Sequence, residues 1–233
     1  MNRLNYWLIV PAAGKGSRFG SHIPKQYLPL LGHTVMECTL NRLSLVPQIK
    51  QIIVPIHPQD NTAHTLNFNH RSKIVFCEGG AERADSVLAG LDAIAAQANP
   101  NDWVLVHDVA RPCVRLSDIQ NLITTLQNDS IGGILGHPVT DTIKQADAKN
   151  HIIATVPRQQ LWQAFTPQMF RFSVLYQALK QAKLQQLMVT DEASAVELLG
   201  YQPKLITGSH DNLKITYPAD LLLAEYLLGQ QTT

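Results

Sequence analysis

The chain has 233 residues, 45% hydrophobic and 16% charged, with a formal net charge of +1. Such a length supports a core burying about 70–75% of the unfolded surface without staples, and the interspersed, near-neutral charge excludes a nucleic-acid face or a polybasic membrane patch. Cys38, Cys77 and Cys113 are odd in number and lack C-x-x-C spacing, excluding a disulfide framework or zinc site, and the absence of a signal-peptide core or an 18-residue apolar run predicts a cytoplasmic, reduced protein.

The first apolar run, Trp7 to Val10, stops at Pro11 and opens into a loop carrying Ala12, Ala13, Gly14, Gly16 and Gly20, with Arg18 and Lys25 as its cations. Small residues let backbone N–H groups approach an anion closely, and the two side chains add full charges. The spacing of Gly14, Gly16 and Gly20 is one residue too long for a dinucleotide fingerprint. That motif also needs a helix at the glycines, which Pro24 and Pro29 interrupt. Walker A is excluded because Gly16 follows Lys15. A long, open loop wrapping a nucleoside triphosphate fits best.

Helical spacing follows over 34–46, then strands over 51–56 and 74–77. His57, His64 and His70 between those strands match no metal-ligand spacing and read as solvated loop residues. A helix is predicted over 84–98, a buried strand at Trp103–Val106, a helix over 116–126 and a strand over 132–135. The alternation implies an α/β fold, a mostly parallel sheet flanked by helices, with ligands beyond the carboxyl ends of its strands. Asp108 and Arg111 after strand 103–106 then face the same crevice as the first loop. Gly79 and Gly80 after strand 74–77 permit close backbone approach ahead of a helix N-terminus. Asp85 in that helix's first turn reads equally well as a macrodipole partner.

Residues 138–157 break the rhythm and read as a hairpin around Asp147-Ala148-Lys149-Asn150. A lone two-stranded ribbon is marginal in water, so this β-arm is predicted to clasp a second copy in a homodimer. Helical patterns follow at 161–165, 174–182 and 193–199, then a strand at 204–206. A last helix carries Pro218 in its first turn and ends at Gly229. The 233 residues are read as one domain bearing this arm.

The blocks PAAGKGSRF with PKQY, GGAERADSVLAGL, LVHDVARP, PVTDTIK, TVPRQQLW, TPQ, VTDEASAVE and DNLKIT occur in this order over residues 6 to 228. In them the chain resembles the 2-C-methyl-D-erythritol 4-phosphate cytidylyltransferases of non-mevalonate isoprenoid synthesis. The resemblance implies a Rossmann-like nucleotidyltransferase fold with a protruding β-arm, homodimerisation, and a reaction of CTP with a polyol phosphate assisted by Mg²⁺. It implies Arg18 and Lys25 at the α-phosphate, and Ala12, Ala13 and Gly14 as backbone contacts to the cytidine; Gly16, from the loop's own composition, is read as a further substrate contact. Gly80, Ala81 and Ser86 would read the pyrimidine, and Val109 would lie near the ribose. Arg158 and Lys214 would position the methylerythritol phosphate, lined also by Asp108, Arg111, Thr142 and Thr190. Arg158, Thr142 and Arg111 are expected from the partner's side. Ala81 stands where an acidic residue is common in the family, and Val109 where alanine is. Asp108 is the expected protein contact for the metal, and Asp211 a weaker one. The alternatives are a ribitol 5-phosphate cytidylyltransferase and a non-catalytic, nucleotidyltransferase-like regulatory subunit.

Overall fold

The structure is a computed structural model and describes residues 4–14 and 23–231. The apolar run near the start forms β1 (Tyr6–Ile9). Pro24 precedes a single 3₁₀ turn, Lys25–Tyr27, and so sets Lys25 at the far end of the first loop. A short ribbon, β2 (Pro29–Leu30) with β3 (His33–Thr34), leads into α1 (Val35–Ser44). Thr34 and Glu37 close a capping box at its start, which accounts for Glu37 as a helix-start residue. There follow β4 (Ile49–Ile56), β5 (Ile74–Glu78), α2 (Arg83–Ile94), β6 (Trp103–Val106), α3 (Leu116–Leu126) and β7 (Gly132–Pro138). The arm comprises β8 (Ile143–Ala146) and β9 (Ile152–Val156), and the chain returns through β10 (Trp162–Arg171). It ends with α4 (Phe172–Leu184), α5 (Glu192–Glu197), β11 (Lys204–Thr207) and α6 (Pro218–Gln231).

The main sheet has seven strands in the order β11-β7-β10-β6-β1-β4-β5. Every neighbouring pair is parallel except those of β10, which runs antiparallel to both β6 and β7. The period-two alternation of β1 supplies both faces: Leu8 and Val10 pack with α1 and α3, whereas Trp7 and Ile9 pack with α2, α4 and α5. Together these layers bury the sheet on both sides. A smaller cluster beneath α6 joins Leu28, Leu30, Ala110, Cys113, Ile215 and Ala224.

Most boundaries fall within two residues of those the sequence predicts; two differ by three or more, and one element changes type. The sequence pattern over 161–165 predicts a helix, but Trp162–Arg171 is a strand between β6 and β7. Leu161, Trp162 and Phe165 imitate helical spacing over too short a window. Thr166 precedes Pro167, which disfavours helical geometry, and a strand buried between two neighbours need not alternate. The helix expected over 84–98 stops at Ile94, beyond which the Gln97 N–H reaches the Ile94 carbonyl in a tighter turn and the Ala98 N–H shares that same carbonyl. The strand expected over 132–135 continues to Pro138.

The hairpin has the predicted form. Asp147 accepts from the N–H groups of Lys149 and His151 at 2.8 and 2.9 Å, and Asn150 takes the left-handed conformation at φ 64°. Ile152 and Ile153 on the arm are 66% and 62% exposed.

Candidate active site

In the order β5-β4-β1-β6 the chain first moves outward from β1 and then returns to its other side, so the strand order reverses between β1 and β6. Ligands bind beyond the carboxyl ends of strands at such a point. A cleft of about 370 Å³ opens there, lined by residues 11–14 after β1, 80–83 and Ser86 after β5, 108–110 after β6, and by Lys25, Gln26, Lys214 and Thr216.

The loops fit one another because they lack side chains. A Cβ on Gly79 would lie 2.6 Å from the Ala13 Cβ, and one on Gly80 would lie 2.2 Å from the Asp85 Cβ. Only glycine permits this approach. Ser86, 2% exposed, accepts from the Gly80 N–H at 3.1 Å and so folds the second loop onto the first turn of α2. Asp85 accepts from the Glu82 N–H and pairs with Lys183 at 2.8 Å, which makes it a structural residue of the helix start. Gln26, buried behind the first loop, donates to the Ala12 carbonyl at 3.0 Å and braces the loop's entry.

Lys25 lies in the cleft and donates to the Ile215 carbonyl at 3.2 Å. Opposite it, Asp108 gathers three cations. One oxygen accepts from Arg83 Nε at 3.0 Å; the other faces Lys214 Nζ at 2.9 Å and Arg111 Nε at 3.3 Å. Burial pushes the Asp108 carboxyl up, but Arg83, Lys214 and Arg111 outweigh it and hold the group well below the usual carboxylate range. Asp108 is therefore ionised at any working pH. Arg83 also grips Glu192 with both terminal nitrogens, at 2.6 and 3.1 Å. Burial pushes the Glu192 carboxyl up against that pull.

Beneath the cluster, a chain of hydrogen bonds orients the Asp108 backbone. The Asp108 N–H donates to Thr166 Oγ1 at 3.2 Å, which sits 3.0 Å from His107 Nδ1, while His107 Nε2 is 3.0 Å from the Arg111 carbonyl. A neutral His107 with its proton on Nε2 satisfies every one of these contacts. Burial lowers its pKa to about 4.

Of the residues singled out from sequence, the cleft brings together Ala12, Ala13, Gly14, Lys25, Gly80, Ala81, Ser86, Asp108, Val109 and Lys214. Gly16 and Arg18 lie outside the described residues. Arg111, expected to reach across from a second copy, is instead buried in its own chain. Its guanidinium binds Asp108 and the Asn212 carbonyl and lies 5.3 Å from the Phe165 ring. Thr142 and Arg158 are exposed, on the arm and on its return segment, and do not line their own chain's cleft. Thr190 borders a separate cavity of about 570 Å³ behind Arg83 and binds Ser194 Oγ. Asp211 pairs with Arg115 at 2.7 Å and is not among the residues lining the cleft. Val109 is 6% exposed and belongs to the core as much as to the cleft. Sequence reasoning missed Arg83, Glu192, Gln26 and Thr166. Arg83 and Glu192 stand inside recognisable blocks, but their pairing spans 109 positions and leaves no local trace.

Fold and site together define a nucleotidyltransferase: a mostly parallel α/β sheet with a side-chain-poor loop after its first strand and fixed cations at the carboxyl edge. The family model described as 2-C-methyl-D-erythritol 4-phosphate cytidylyltransferase matches residues 6–230, and the chain belongs to that family. The chain is similar to proteins of that name from Hahella chejuensis, 50% identical with 98% of this chain and 95% of the relative covered, and from Azoarcus sp., 51% identical with 97% and 95% covered. Among solved structures it resembles a Francisella tularensis 2-C-methyl-D-erythritol 4-phosphate cytidylyltransferase, with TM-score 0.84, 38% identity and 96% and 99% of the two chains covered. It also matches a 4-diphosphocytidyl-2C-methyl-D-erythritol synthase with TM-score 0.84, 36% identity and 98% and 100% covered.

Proposed function

We propose that this chain joins CTP to 2-C-methyl-D-erythritol 4-phosphate in isoprenoid precursor synthesis, giving 4-diphosphocytidyl-2-C-methyl-D-erythritol and pyrophosphate. The observation that carries this reading is the convergence of Ala12–Gly14, Gly80–Ser86, Lys25 and Lys214 on one cleft at the strand-order reversal.

In the reaction a phosphate oxygen of the polyol substrate bonds to the α-phosphorus of CTP. The bond from that phosphorus to the bridging oxygen breaks, and the electron pair leaves with pyrophosphate. The nucleophile is already ionised, so no general base is required, and the obstacle is anion meeting anion. At about 4 Å and an effective dielectric near 20, each unit-charge pair repels by ~4 kcal/mol. Catalysis is then positioning plus electrostatic stabilisation.

In this scheme Lys25, with Arg18 on the same loop, stabilises charge at the α-phosphate. The backbone of residues 12–14 and 16 contacts the nucleotide, and the Gly80–Ser86 segment reads the pyrimidine edge through main-chain groups, so Ala81 needs no side-chain chemistry. Lys214 holds the phosphate of the second substrate, its reach set by Asp108. Thr142 and Arg158 complete that subsite from a second copy through the β-arm, whose exposed Ile152 and Ile153 suit burial in a homodimer. Light scattering at the mass of one chain would remove that part. No helix among the described residues is long and apolar enough to cross a membrane, and a cytoplasmic location suits the phosphorylated substrates.

Among the described residues no group of three or more His, Cys, Asp or Glu is placed to hold a metal. Asp108, facing the cleft, is the candidate contact, but both of its oxygens already accept from cations. That donor set fits a Mg²⁺ that would be held mainly by substrate oxygens and water, with Asp108 near it but still engaged by its cations. Bound there, the ion would neutralise triphosphate charge.

The test is direct: incubate the protein with CTP, Mg²⁺ and either methylerythritol phosphate or ribitol 5-phosphate, follow pyrophosphate, and weigh the product. The methylerythritol conjugate is expected. Exclusive turnover of ribitol phosphate, or none, overturns the reading.

A further inference from the structure

Glu192 is 1% exposed, and a buried carboxylate calls for a reason. Its partner is the Arg83 fork, with Nη1 and Nη2 both on the carboxylate at 2.6 and 3.1 Å. That bidentate grip fixes the guanidinium plane as well as its charge. The third nitrogen, Nε, then faces Asp108 at 3.0 Å, and the opposite oxygen of Asp108 holds Lys214 at 2.9 Å. The four side chains form one line, from Glu192 at the start of α5 through Arg83 at the start of α2 to Asp108 after β6 and Lys214 in the cleft. Lys214 lies in no regular element, between β11 and α6, and its ammonium is anchored on this carboxylate.

A buried ion pair is weak grounds for stability, because well-packed apolar residues often serve as well. What such a pair supplies is a defined geometry, and here the geometry ends on a lysine in the cleft wall. We propose that Arg83 and Glu192 are positioning residues for phosphoryl transfer: Glu192 orients the Arg83 fork, and Arg83 sets the Asp108 carboxylate that aims Lys214. Neither need touch substrate. The charge arrangement also matters, since Arg83 draws one oxygen of Asp108 away and leaves Lys214 only part of the carboxylate's field. The inference rests on the cytidylyltransferase reading above.

Three variants decide it: Arg83→Lys, Glu192→Gln and the two combined. Arg83→Lys keeps the charge but loses the fork, so a role by charge alone would survive it. Aiming of Lys214 predicts that kcat falls by about tenfold or more in each single variant while the dissociation constant of CTP stays within about threefold. The Michaelis constant for the polyol phosphate should rise. The double variant should be no slower than the slower single one, because both break the same line. Melting temperatures are read alongside, and if Glu192→Gln does not fold, Arg83→Lys decides. Parent-like kcat in Arg83→Lys, or turnover lost only in proportion to unfolded protein, overturns the proposal. A parent chain without turnover fails the functional reading itself and removes both, whereas an active parent with active variants removes the positioning role alone.

Discussion

Replacing Asp108 by Asn removes the one charge that Arg83, Arg111 and Lys214 share. The contacts lie at 3.0, 3.3 and 2.9 Å. At about 3 Å and an effective dielectric near 20, each represents ~5 kcal/mol of gross attraction, most of which offsets the desolvation of the groups themselves. Lys214, 35% exposed, is screened by water and counts least. Arg111, whose side chain is 10% exposed, counts most, because the substitution strands its charge indoors. Asparagine retains one acceptor and the shape of the residue, so the loss is electrostatic and leaves no cavity. Leaving buried cations uncompensated should destabilise the fold by about 3–5 kcal/mol, a large part of a typical domain's stability. Urea unfolding followed by circular dichroism measures it. Adding Arg111→Met should restore part of the loss by removing the cation left stranded. A midpoint shift equivalent to less than about 1 kcal/mol, or a double variant weaker than additive, would refute the idea that Asp108 organises the cluster.

Lys25→Ala should lower kcat by about a hundredfold or more with the fold intact, since it removes a full charge from the transferring phosphate; near-parent kcat in a pyrophosphate-release assay would take Lys25 out of the mechanism. Arg158→Ala should chiefly raise the Michaelis constant for the polyol phosphate and spare CTP binding, and an effect mainly on CTP affinity would contradict its assignment. His107, held near pKa 4 against an ordinary 6.5, resists protonation in the folded state, while the unfolded chain takes up the proton below pH 6.5. Stability is therefore lost as pH falls through that window, by about 2 kcal/mol between pH 7 and 5, and unfolding midpoints that do not move over that range would contradict a buried, neutral His107.

What the sequence made legible follows from local rules. Trp103–Val106 is a short, near-continuous apolar run rich in β-branched and aromatic residues, which reads as a strand buried on both faces. The Asp147–Asn150 turn announces its hairpin because Asp and Asn satisfy tight turns. Glycines at 79 and 80 marked a close approach, although the Ala13 Cβ that Gly79 makes room for could not be foreseen. Long-range partnerships were not legible. Trp162–Arg171 carries mixed residues whose strand character comes from lying between β6 and β7, and tertiary context overrode a short helical pattern. That Asp108 and Arg111 share one crevice was legible from their spacing after strand 103–106, but the Asn212 carbonyl that also engages the Arg111 guanidinium, 101 positions away, was not. Glu192 carries no local signal of its role, and its burial against Arg83 emerges only when α2 and α5 come together.

The most direct test of the central claim, that this cleft holds the nucleotide, is a crystal structure of the protein with CTP bound. Cytosine is expected against the Gly80–Ser86 backbone, with the triphosphate running past Ala12–Gly14 to Lys25. A triphosphate seated elsewhere, away from Gly14 and Lys25, would contradict it.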